Sequence, residues 1–145
     1  IVSRDYLTLK VWDVNMEARP VKTIQIQDFL RSKLCDLYES DCIFDKFECC
    51  FSPDGSHMLT GGYHNLFYVF DKQGKNDQCL EASKNVSGKK KPGKKSFGRS
   101  SKKAPLGPAD VDSIDLEKKI LHLTWHPQEN VIAIGALNNL YIFNA

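Results

Sequence analysis

Tyr6-Leu7-Thr8-Leu9-Lys10-Val11-Trp12-Asp13 alternates apolar and polar residues and ends on Trp-Asp. A period of two over that length marks a strand with one buried face. Two later stretches close in the same way, on an aromatic residue followed by Asp or Asn: Leu66-Phe67-Tyr68-Val69-Phe70-Asp71 and Leu140-Tyr141-Ile142-Phe143-Asn144. Upstream of the second lie Phe47-Glu48-Cys49-Cys50-Phe51-Ser52-Pro53-Asp54-Gly55 and Met58-Leu59-Thr60-Gly61-Gly62. Upstream of the third lie Leu121-His122-Leu123-Thr124-Trp125-His126-Pro127 and Val131-Ile132-Ala133-Ile134-Gly135-Ala136. Each of these two units reads strand, proline-containing turn, apolar strand, Gly or Asn turn, aromatic-rich strand. Gly61-Gly62 is expected to make the turn before the aromatic strand.

This unit predicts an all-β chain built from WD-repeat β-propeller blades. One small sheet cannot bury both faces alone, and stacking blades around an axis supplies the missing core. The aromatic positions 12, 70 and 143 are 58 and 73 residues apart, beyond the ~40–45 of a plain blade. Part of the excess is a helical insertion near 28–38, with Leu30, Leu34, Leu37 and Tyr38 on one face and Asp28 as N-cap. The rest is a Lys/Ser/Gly/Pro tract at 83–112, expected to be mobile. The organisation expected is the end of one blade (1–27), a helical and acidic insertion (28–42), a blade (43–82), the basic insert (83–112) and a final blade (113–145). Asp5 sits where WD repeats hydrogen-bond an acid in a tight turn, Trp12 is expected to pack, and Phe70 and Phe143 stand where Trp would.

Charge is distributed unevenly. The chain has 20 basic and 18 acidic residues, but nine of the basic ones lie between Lys84 and Lys103 with no acid among them, which leaves 11 against 18 elsewhere. An acidic body with one basic loop follows, not a uniformly basic nucleic-acid binder. No apolar run reaches the ~18–20 residues of a membrane-spanning helix, and no secretion signal opens the chain. The start, Ile1-Val2-Ser3, runs straight into strand-like sequence and reads as part of a longer protein. Five cysteines without a disulfide-scaffold spacing favour a reducing compartment, cytoplasmic or also nuclear.

Catalytic and metal chemistry find no purchase. Cys35, Cys42 and Cys49 are seven apart with no C-x-x-C pair. Cys49 and Cys50, adjacent on a strand, must point to opposite faces. His57, His64, His122 and His126 are scattered, no nucleophile elbow is present, and Gly61-Gly62 lacks a phosphate-loop pattern. No enzyme activity, cofactor or metal is expected. An open set of blades also leaves strand edges unpaired, so the isolated chain is expected to aggregate or to be molten.

Between Asp36 and Glu48 lie the acids Asp36, Glu39, Asp41, Asp45 and Glu48 against the single base Lys46. An acidic, aromatic-studded surface attracts basic peptides, with Tyr38 and Phe44 as apolar anchors; the competing reading is a solvated loop with Phe44 packed inward. Lys89, Lys90, Lys91, Lys94 and Lys95 read first as a solvated, disordered hairpin extension, next as a regulatory or import loop that meets an import receptor or a phosphatase partner, with RNA or DNA as the rival ligand. The tract's one aromatic, Phe97, provides poorly for base stacking. Phosphorylation at Ser83, Ser87, Ser96, Ser100 or Ser101 would subtract charge there.

Five runs carry a family resemblance: SRDYLTLKVWDVNMEARP (3–20), LRSKLCDLYESDCIFDKFECC (30–50), TGGYHNLFYVFD (60–71), LEASKN (80–85) and KKILHLTWHPQENVIAIGALNNLYIF (118–143). With them the chain resembles the 55 kDa regulatory B subunits of protein phosphatase 2A, while the Phe51–Gly55 turn and the Lys-rich insert depart from the family. The resemblance implies a seven-bladed propeller, of which this chain would be the last two to three blades. It also implies a non-catalytic protein that docks on the scaffold and catalytic subunits of phosphatase 2A and selects phosphoprotein substrates through their basic segments. On that resemblance Tyr38, Glu39, Asp41, Phe44 and Lys46 line the substrate groove. The alternative is a generic WD-repeat scaffold whose Lys-rich loop binds nucleic acid or an import receptor.

Overall fold

The computed structural model describes residues 1–83 and 114–144; the Lys89–Lys95 cluster and the serines beyond Ser83 lie outside the described residues. Three antiparallel sheets follow one another along the chain. The first contains β1 (Val2–Arg4), β2 (Thr8–Val11) and β3 (Lys22–Gln25). The second is four-stranded, in the order β4 (Cys49–Phe51), β5 (His57–Gly61), β6 (Leu66–Asp71) and β7 (Gln78–Glu81). The third contains β8 (His122–Trp125), β9 (Val131–Ala136) and β10 (Asn139–Asn144). The aromatic–acid endings fall at the end of β6 and β10 and just past β2. Aligned on them, the first sheet supplies the counterparts of β5–β7 and the third those of β4–β6. These are neighbouring blades of a propeller. Among the described residues, no helix is long and apolar enough to cross a membrane.

The blades are held by what lies between them. β6 is apolar and aromatic from Leu66 to Phe70 because both of its faces are covered there. Phe67 and Val69 point into a core shared with the third sheet, with Leu59, Ile120, Trp125, Ile132 and Ile134. Tyr68 and Phe70 point into a core shared with the first sheet, with Leu9, Ile26 and Met58. Full burial of one such ring contributes ~1.5–3 kcal/mol. The three-residue strand β4 divides the same way, Cys49 packing on one core and Cys50 on the other, as period-two geometry requires. All five cysteines are free thiols.

Three local expectations need correction. Gly61 and Gly62 are not the turn; His64 and Asn65, at φ 61° and 56°, make it, the double positive φ that a two-residue hairpin loop demands. The glycines answer a different need, close approach: a Cβ on Gly61 would lie 2.0 Å from the Ile120 carbonyl oxygen, and one on Gly62 2.8 Å from the Tyr68 ring. The helical insertion begins as a 3₁₀ helix over Asp28–Lys33, and only Leu34–Glu39 (α1) is α-helical. Winding at about three residues per turn shifts the phase, so Leu30 and Leu37 are buried while Tyr38 is turned outward. Asp28 does not cap that helix, which starts at Gln27 without a side-chain cap; its carboxylate pairs with Arg31 at 2.8 Å.

The first sheet keeps the repeat's polar signature. Asp5 accepts the backbone N–H groups of Leu7 (3.0 Å) and Thr8 (2.6 Å) and the Thr8 hydroxyl (2.6 Å), and pairs with Lys10. Partial burial works to raise its pKa, but Lys10 and the turn's donors outweigh that and hold the carboxyl at about 2. Trp12 is half-buried and donates its indole N–H to Ser3 Oγ at 2.7 Å. The side chain thereby ties β1 to the end of β2.

Candidate functional site

The insertion ends abruptly. Ser40 closes α1 by donating its N–H to Asp36 O at 3.0 Å, and Asp41 takes the left-handed conformation at φ 60°, which a short polar side chain tolerates. A 3₁₀ turn over Cys42–Phe44 follows, and Asp45 is extended. This path brings Tyr38 at the end of α1 against Phe44, with ring centroids 5.8 Å apart. The rings are 63% and 61% exposed. Phe44 is therefore not packed inward. Two adjacent aromatic rings left in water form the anchor type that recognition surfaces use.

Glu39, Asp41 and Asp36 are exposed around this pair, and no ion pair to any of their carboxylates exists among the described residues. The remaining two acids of the run do other work. Asp45 pairs with Lys119 at 2.6 Å and accepts the Tyr63 hydroxyl at 2.7 Å. Glu48 accepts the Leu123 N–H at 3.0 Å and meets His122 Nδ1 at 3.2 Å, stitching the second sheet to the third; the His122 bond holds its carboxyl below the ordinary range. Of five acids read as one surface, three are exposed with no ion pair among the described residues, and two are structural.

Phe44 continues into a groove of about 430 Å³ whose walls include Arg4, Tyr6, Asp45, Lys46 and Phe47. Lys46 is exposed there, and the lining balances two basic side chains, Arg4 and Lys46, against two acidic ones, Asp5 and Asp45. The Arg4 guanidinium lies 5.4 Å from the centroid of the Phe47 ring, and its nitrogens have no hydrogen-bond partner among the described residues. Burial lowers its pKa to about 10, with Asp5 opposing.

Beneath the loop, Leu30, Leu37, Phe47 and Tyr63 form a third buried cluster. Tyr63 is edge-on to Phe47 at 5.1 Å and hydroxyl-to-hydroxyl with Tyr6 at 2.9 Å. Burial, the Tyr6 hydroxyl and Asp45 all push the Tyr63 phenol far above its ordinary pKa, so it keeps its proton. Arg4, Tyr6, Tyr63 and Lys119 join the site without any mark in the local sequence. Their spacing carries no local pattern, since Lys119 meets Asp45 across 74 positions. Tyr38, Glu39, Asp41, Phe44 and Lys46 are all exposed, and the rings of Tyr38 and Phe44 lie against each other.

No family model matches the chain. Across 149 aligned positions, covering 100% of this chain, it is 56% identical to the serine/threonine-protein phosphatase 2A regulatory subunit phr2AB of Dictyostelium discoideum. Across 146 positions, covering 99% of the chain, it is 54% identical to the gamma isoforms of the 55 kDa regulatory B subunit of serine/threonine-protein phosphatase 2A from Rattus norvegicus and Mus musculus. The chain spans 31% of the first relative's length and 32% of the other two. Identity above half over all three sheets, together with the blade architecture, places this chain in the family of 55 kDa regulatory B subunits of serine/threonine-protein phosphatase 2A.

Proposed function

We propose that this chain is part of a non-catalytic phosphatase 2A regulator that joins the scaffold and catalytic subunits and selects phosphoprotein substrates by their basic segments. Tyr38, Glu39, Asp41, Phe44 and Lys46 form the selecting surface in this reading. The observation that carries it is the exposed Tyr38–Phe44 pair at 5.8 Å, with exposed acids in the same run that have no ion pair among the described residues. Acids raise the encounter rate with a basic segment, and the rings provide the desolvated anchor that fixes register. Nothing in this role requires the chain to carry a nucleophile or a metal.

The test is substrate capture by the assembled full-length protein. Exposed pairs are individually worth ~0–1 kcal/mol, so Glu39→Lys alone should be weak and the double reversal Glu39→Lys/Asp41→Lys informative. Capture of a basic phosphoprotein should fall severalfold at low salt, and the difference should fade as the Debye length shrinks towards ~3 Å at 1 M. Phe44→Ala should give a loss that salt leaves unchanged. Co-purification of the scaffold and catalytic subunits should persist in all variants. Full capture by the double reversal, with assembly intact, would refute the surface assignment. Recovery of nucleic acid alone, without phosphatase subunits, would favour the scaffold alternative.

A further inference from the structure

Phe44 and Lys46 flank Asp45, and the Asp45 carboxylate is held from two directions. Lys119 Nζ occupies one carboxylate oxygen at 2.6 Å and Tyr63 Oη the other at 2.7 Å. Tyr63 Oη also lies 3.0 Å from the Cys42 carbonyl oxygen, at the other end of the same loop, and 2.9 Å from Tyr6 Oη. A phenol has one proton. The shorter, charge-assisted contact to Asp45 takes it, with Cys42 O receiving a bifurcated share. Tyr6 then has to donate to Tyr63, which gives a directed chain from Tyr6 through Tyr63 to Asp45. Tyr6 belongs to the β1–β2 turn, Tyr63 to the β5–β6 turn, and Lys119 to the segment leading into β8.

We propose that Tyr63, assisted by Tyr6 and Lys119, is a positioning residue for peptide capture: its hydroxyl holds Cys42 and Asp45, on either side of Phe44, and so sets the pose of the Phe44 ring. This rests on the recognition surface proposed above. Tyr63 itself is buried and touches no ligand. The recognition loop is thus oriented by residues from all three blades, so the surface is complete only when the blades are docked.

The test uses the full-length protein carrying this sequence and a fluorescein-labelled peptide with Lys-Arg blocks on both sides of one Leu. Tyr63→Phe keeps the ring on Phe47 and removes only the hydroxyl. It should weaken peptide binding about fivefold, the scale of one modest buried hydrogen bond. It should also speed amide hydrogen exchange over residues 42–46 while leaving β6 unchanged. In a Phe44→Ala background the same substitution should cost nothing further, because the ring whose pose it sets is gone. Unchanged affinity, or the same fivefold loss without Phe44, overturns the positioning role. If the unaltered protein fails to bind the peptide, the recognition surface is refuted. The exchange rates then decide the clamp: unchanged exchange over 42–46 in Tyr63→Phe overturns it.

Discussion

Gly61→Ala is the sharpest probe of how the second and third blades meet. The new methyl would sit 2.0 Å from the Ile120 carbonyl oxygen and 3.0 Å from both the Ile120 carbonyl carbon and its Cγ2. Relief requires the segment through Ile120 to retreat by about 1 Å, because its nearest atom is backbone and cannot rotate away. That segment is held to the second sheet by three backbone bonds: Ile120 N to Gly62 O at 2.9 Å, Asn65 N to Lys118 O at 3.0 Å and Glu48 N to Leu121 O at 3.0 Å. A retreat of that size carries all three beyond hydrogen-bond range. At ~0.5–1.5 kcal/mol each, the expected destabilisation is about 2–4 kcal/mol, with some addition from loosened packing of the buried Ile120 side chain. The assay is the urea midpoint of the full-length protein at unchanged m. Gly55→Ala is the control: Gly55 has φ +67° and nothing within 4 Å of its virtual Cβ, so it should cost only the ~1–2 kcal/mol of left-handed backbone strain. A Gly61→Ala midpoint no lower than that of Gly55→Ala would refute the close-approach argument.

Two further expectations concern the turns. Asp5 has a folded pKa near 2 against a reference value of 3.8, so its contribution to stability is fully present above the reference value and is lost as pH falls towards 2. Asp5→Asn should flatten the acid limb of the stability curve between pH 4 and 2, and an unchanged limb would contradict the turn assignment. Leu137 holds φ 53° between β9 and β10 and is exposed, a conformation that costs a non-glycine residue ~1–2 kcal/mol. Leu137→Gly should therefore raise the urea midpoint, by about 0.5–1 kcal/mol once the added chain entropy of glycine is deducted; a lowered midpoint would count against it.

What could be read in advance divides by range. The blade repeat was legible because a strand's signal is local: alternation along Tyr6–Asp13 and the aromatic–acid endings need no knowledge of distant residues. The opposed faces of Cys49 and Cys50 followed from the pleat alone. The run from Tyr38 to Lys46 was legible as a candidate surface because it is contiguous and its acids outnumber its bases. The division of labour within that run was hidden, because Asp45 and Glu48 find Lys119 and His122 only after the third blade docks. A uniform α-helix would put Tyr38 on the buried face, but the first half of the insertion winds as 3₁₀. Gly61-Gly62 looked like a turn since glycine's two uses, positive φ and close approach, leave the same letter in the sequence.

The split of β4 between two cores also governs thiol chemistry. A disulfide between adjacent cysteines needs both sulfurs on one side of the chain, and the pleat places Cys49 and Cys50 on opposite sides of a packed sheet. Burial pushes both thiols above their ordinary pKa, which keeps the nucleophilic thiolate scarce. Cys35, in contrast, is exposed on α1, one helical turn from Tyr38. Maleimide dyes should label exposed Cys35 and Cys79 in the folded protein and leave Cys49 and Cys50 silent. A fluorophore placed at Cys35 would then stand beside the aromatic pair and report when a peptide arrives.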